Sequence, residues 1–233
     1  MNEQNSNVPN HIGMLNESSL QSTLKLWYSE SEDMTELHVD NFLIDIVRDG
    51  LLIEIQTKNF ALIRRKLEKL IQNHNVRLVH PIIQDKWIIN IDNSSEKIIQ
   101  KRLSPKHCSY LDIFNELIRI ADLVSHPNFT IEILLVQVQE IRKNDGKGTW
   151  RRAGWSIQDI KLLNILERKI FYNPSDFLIF TPTDLRTLFT NVDLAHSLKK
   201  SVNLARKMSY CLRKMGILRV TGKKGKAFLF DYE

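Results

Sequence analysis

The sequence predicts an α/β fold in two parts: a mixed sheet flanked by helices, then a smaller helical unit that ends in a β-hairpin. Three observations carry this. Apolar runs at 42–47 and 51–55 flank Asp49-Gly50, a two-residue hairpin signal. A strand-like run, an amphipathic stretch and a second strand-like run follow one another from Leu51 to Ile83, the pattern of a crossover unit. From residue 156 the pattern turns to helical spacing and closes on two short β-runs around Gly222-Lys223-Lys224-Gly225.

Residues 1–10 are polar and carry only Glu3 as a charge, so a disordered start is expected. Leu20, Leu24, Trp27 and Tyr28 form one stripe of a first helix, with Glu17 at its N-terminal end. Residues 34–39 alternate as a first strand, and Asp40-Asn41 turns the chain into the central hairpin. Ala61 to His74 reads as an amphipathic helix, with Leu62, Ile63, Leu67, Leu70 and Ile71 inward and Arg64, Arg65, Lys66 and Lys69 outward. Strands are expected at 76–83 and 86–91, an exposed basic loop at 97–106, a helix at 110–123 and a central strand at 130–138.

Residues 142–155 have the composition of a linker, and 156–233 then form the second unit. Its expected elements are a helix from Ser156 to about Lys169, a short one at 183–189, a long one at 194–215 stopped by Gly216, and the closing hairpin.

Composition narrows the function. The chain has 233 residues, and its two cysteines, Cys108 and Cys211, have no metal-ligand spacing, which suggests a reducing, cytoplasmic setting. No apolar run approaches a membrane span, so no membrane partner is expected. The net charge of +6 is uneven: residues 147–233 hold 17 Lys and Arg against 7 Asp and Glu. A basic last third on a slightly acidic body points to a polyanion, most economically DNA.

Asp45 on the first strand of the hairpin, and Glu54, Gln56 and Lys58 on the second and just beyond it, place carboxylates on neighbouring strands beside an amide. That is a hard-cation site in outline, able to hold magnesium, or manganese in its place, and ready a water for attack on a phosphodiester. The run resembles the PD-(D/E)xK, restriction-endonuclease-like nuclease superfamily, with Asp45 followed by Glu54-Ile55-Gln56. Gln56 stands where that superfamily usually has lysine, and Lys58, one step along the same face, offers an ammonium. The resemblance implies Asp45 and Glu54 as metal ligands, Gln56 or Lys58 as the group that orients the water, and Glu17 as a helper from the first helix. The run Glu54 to Phe60 is also similar to one shared by a family of uncharacterised bacterial proteins.

Residues 156–233 resemble a winged helix-turn-helix domain. That likeness implies Lys199, Lys200, Asn203, Arg206 and Lys207 toward the major groove and Lys223, Lys224 and Lys226 on backbone phosphates. The resulting expectation is a divalent-metal-dependent DNA endonuclease. The alternative is a catalytically inactive nuclease-fold DNA-binding protein or regulator. Cutting both strands would call for two sites, hence a homodimer.

Overall fold

The computed structural model describes residues 19–185 and 188–233. Glu17 lies outside them.

Helix α1 (Ser19–Tyr28) buries Leu20, Leu24 and Tyr28 of the expected stripe, whereas Trp27 is left 47% exposed. Strands β1 (Met34–Val39), β2 (Phe42–Arg48) and β3 (Leu51–Ile55) form an antiparallel meander. At its second turn Asp49 has φ 48° and Gly50 φ 78°, the doubly left-handed geometry that matches strand twist and that Asp-Gly accommodates. Helix α2 (Arg64–Leu70) crosses over to β4 (Asn75–Ile91), which runs parallel to β3 from Leu51 opposite Asn75 to Ile55 opposite Val79.

Beyond this the outcome departs from expectation. The two runs at 76–83 and 86–91 are one strand, β4, with a register shift between Ile83 and Asp85. The expected basic loop holds β5 (Ile98–Leu103), antiparallel to the far half of β4. Residues 110–125 are not one helix but 3₁₀ turns around α3 (Phe114–Leu117), although Ile113, Phe114, Leu117, Ile120 and Leu123 still point inward.

The largest correction concerns residues 142–169. Strand β6 (Phe129–Lys143) pairs antiparallel with β7 (Ser156–Phe171), so the expected helix is a strand of the main sheet and the expected linker is a hairpin connection. The reason lies in the bulges. Three register shifts along the β6–β7 ladder break the two-residue alternation, and the residues that turn toward the core become Ile160, Leu162 and Ile165. Two of the shifts leave Leu163 and Leu166 without a partner on β6, and both are exposed, so the apolar spacing of three that reads as a helix runs through residues outside the core. The sheet order is β1-β2-β3-β4-β6-β7, with β5 on β4.

After β7, Pro174–Phe180 is a 3₁₀ segment that sends Phe177 and Phe180 into the core against Phe114 and Phe171. The expected long helix at 194–215 is two: α4 (Asn191–Ser197) and α5 (Val202–Lys214). Lys199, at φ 50°, breaks them, and Ser201 caps α5 by accepting from the Leu204 N–H. In place of the expected helix end, Phe189 bridges Phe230. Gly216 does end α5: its N–H bonds Arg213 O and the Ile217 N–H bonds Leu212 O, a Schellman closure at φ 73°. Strands β8 (Leu218–Lys224) and β9 (Ala227–Tyr232) make the closing hairpin. Two cores result. One, on the α1 face, holds Ile46, Ile53 and Ile55. The other runs from Ile44, Leu52 and α2 through α3 into α5 and β9, so the C-terminal unit shares the core of the sheet.

Candidate active site and nucleic-acid interface

The β2–β3 ladder joins Arg48 to Leu51, Val47 to Leu52 and Ile46 to Ile53. The next step of that register sets Asp45 opposite Glu54. Here the Asp45 side chain enters the ladder: its Oδ2 accepts from the Ile55 N–H at 2.8 Å. Its Oδ1 meets Lys25 Nζ of α1 at 2.9 Å. Glu54, only 5% exposed, is ion-paired with Lys66 of α2, whose ammonium also donates to Leu43 O.

The two acids are thus neighbours served from opposite faces, since α1 packs on one core and α2 on the other. Burial, and then the charge of Asp45, push the Glu54 carboxyl up to about 7, against the pull of Lys66. Lys66 belongs to the basic face of α2 visible in the sequence; nothing in the spacing singled out Lys25.

Gln56 lies one residue past β3. Its N–H bonds Val79 O, its side-chain Nε2 donates to Lys58 O at 2.6 Å, and its carbonyl accepts from His80 Nδ1 at 2.7 Å. Burial lowers the His80 pKa, so the ring is neutral and Nδ1 carries the proton given to Gln56 O. His80 also stands edge-on to Phe60 at 4.9 Å between ring centroids. Lys58 is exposed in the turn beyond. Among the described residues, no group of three or more His, Cys, Asp or Glu side chains is placed to hold a metal. Asp45 and Glu54 are two hard oxygen donors, and both are engaged within the chain, Asp45 by the Ile55 N–H and Lys25 and Glu54 by Lys66.

Residues 18–172 match the family described as a domain of unknown function (DUF8091). The chain belongs to this family. The DUF8091 region ends at the close of β7, so it coincides with the main sheet and leaves α4, α5 and the β8–β9 hairpin beyond it. An uncharacterised protein of Treponema pallidum (strain Nichols) is 28% identical over 225 residues, covering 95% of this chain and 88% of the relative. That likeness therefore reaches past the DUF8091 region into the C-terminal unit. No solved structure matches the chain. Among the described residues, no helix is long and apolar enough to cross a membrane.

In the C-terminal unit, Lys199, Asn203 and Arg206 are exposed and Lys200 is half-buried. Lys207 turns the other way: its Nζ donates to Asn115 Oδ1 at 2.7 Å, fastening α5 to α3. Lys223, Lys224 and Lys226 are exposed on the hairpin. Between α5 and that hairpin lies an open groove of about 370 Å³, lined by Arg206, Tyr210, Arg213, Lys226 and Phe228. Tyr210 and Arg213 were missed in the sequence, although they continue the exposed stripe of Arg206 by steps of four and three.

Proposed function

We propose that the chain is a divalent-metal-dependent DNA endonuclease of the PD-(D/E)xK kind, held on DNA by a C-terminal winged helix. The observation that carries the reading is the pairing of Asp45 with Glu54 at the point where the β2–β3 ladder ends. Two neighbouring carboxylates, one of them buried enough to resist ionisation, would offer oxygen donors to a cation that displaces their lysine partners. A magnesium or manganese ion held by Asp45 and Glu54 would supply a bound water of lowered pKa.

The chain's own groups have separate tasks. Lys66 pairs with Glu54 from one face of the sheet, and Lys25 pairs with Asp45 from the other. Gln56, steadied at its backbone by Val79 and His80, orients the water. Lys58 stands exposed where a scissile phosphate would arrive. In the C-terminal unit, α5 presents Asn203, Arg206, Tyr210 and Arg213 to the groove of the duplex, and Lys223, Lys224 and Lys226 meet phosphate.

The test is incubation of supercoiled plasmid with magnesium or manganese. Nicking that disappears in Asp45→Ala and in Glu54→Ala supports the reading. A second reading, an inactive nuclease fold that only binds DNA, is favoured by one observation: each acid already has a lysine partner. Under it, wild-type protein binds duplex and leaves plasmid intact with either metal.

A further inference from the structure

We infer that the paired hairpin tips at the far ends of β4 and β6 form a second contact surface, for an unpaired stretch of nucleic-acid strand. The β4–β5 and β6–β7 connections stand side by side, with Asn93 Nδ2 donating to Asn144 O between them. They therefore present one surface, at the end of the sheet away from β3.

Its chemistry suits a single strand. Trp150 is 84% exposed at the tip of the β6–β7 connection, and the Arg151 guanidinium lies over its ring, 5.3 Å from the centroid. Lys97, Lys101 and Arg102 on the neighbouring hairpin and Lys147 and Arg151 on this one are exposed, against the exposed acids Glu96 and Asp145. An exposed indole with Arg151 over one face offers its other face as a stacking platform to an unstacked base, and the cations offer an attractive field to its phosphates. Duplex DNA keeps its base faces stacked and could use only the charges.

The loop that carries Trp150 is built, not slack. The Gly148 N–H bonds Gly154 O, and a Cβ on Gly148 would lie 2.1 Å from Trp155 O. Ala153 and Gly154 take φ 47° and 83° to close the 3₁₀ turn Trp150–Arg152. Asn144 and Asp145 hold the other side, Asp145 Oδ1 accepting from the Lys147 N–H at 3.0 Å. Folding thus spends a rigid turn on holding an indole in water. That arrangement contributes little to the core and leaves the ring preorganised for a partner.

The inference shares with the preceding reading only that the partner is nucleic acid. Its test is fluorescence anisotropy with labelled oligothymidylate of about 15 nucleotides, set beside a labelled duplex. Trp150→Ala is expected to weaken oligothymidylate binding roughly 5- to 100-fold, with Trp150→Phe recovering most of it and duplex binding little changed. Lys97→Gln with Arg151→Gln is expected to flatten the salt dependence for the single strand by about 1–1.5 in log–log slope. Because Trp150 is exposed, these variants keep the fold. Wild-type affinity for oligothymidylate in Trp150→Ala overturns the inference and leaves duplex binding standing. Binding of neither probe by the wild type overturns this inference and the DNA reading together.

Discussion

Glu54 lies across the β2–β3 pair from Asp45, and each is bound to a lysine from a helix on a different face of the sheet. The pair sits where the ladder stops and a carboxylate oxygen replaces a strand carbonyl as the acceptor for the Ile55 N–H. Burial beside a second carboxylate makes ionising Glu54 costly at this point.

Glu54 should therefore make stability depend on pH. Its pKa is raised from 4.5 to about 7 in the folded chain, so the folded state holds the proton more tightly than the unfolded state. Its contribution is fully present below about pH 4.5 and is lost as pH rises to about 7. Glu54→Gln removes that dependence. Relative to wild type, the variant should gain on the order of 2–3 kcal/mol between pH 4.5 and 7.5 and nothing more above pH 8. Denaturant midpoints across that range measure it, and a wild-type minus variant difference that stays level with pH would refute the burial argument.

Magnesium should report on the same pair. If Asp45 and Glu54 hold the ion, millimolar magnesium raises the wild-type melting temperature, and Asp45→Asn abolishes the rise. Chelation should return the wild type to its metal-free value.

A second buried acid has a structural task. Glu132, at 0% exposure in the middle of β6, accepts from Tyr28 Oη at 2.6 Å and pairs with Arg168 Nε at 2.9 Å and Arg77 at 3.6 Å. Glu132→Ala leaves Arg77 half-buried without its charge partner and should cost about 3–5 kcal/mol by urea unfolding. Replacing Tyr28 by Phe removes the hydrogen bond to Glu132 and the longer one accepted from Arg77 at 3.4 Å, and should cost about 1–2 kcal/mol.

The cations of the C-terminal unit should divide into two kinds. Changing Lys223, Lys224 and Lys226 together to Gln should weaken duplex binding and reduce the salt slope by about 2–3, with the melting temperature unchanged. Lys207→Gln should leave that slope alone, because Lys207 is spent on Asn115. Titrations at several salt concentrations separate the two.

Local signals made much of this readable from the chain. Asp49-Gly50 determined a hairpin, because few dipeptides take two left-handed residues in a row. The stripe Leu20, Leu24, Tyr28 determined a helix and the face it buries, and Gly216 determined where α5 stops. Asp45 and Glu54 were legible as a candidate pair because alternation along a strand and the length of a tight turn set which residues oppose each other. Residues 156–171 were not legible: their helix-like apolar spacing runs through Leu163 and Leu166, which the bulges against β6 leave unpaired and exposed. The break at Lys199 was hidden too, since nothing in a lysine announces a left-handed backbone. The lysine that neutralises each acid was likewise decided only by tertiary structure. Lys25 and Lys66 are 41 positions apart in the chain and reach the hairpin only once α1 and α2 have packed on opposite faces of it. Periodicity tells which side of an element turns inward; it does not tell which distant element will meet it there.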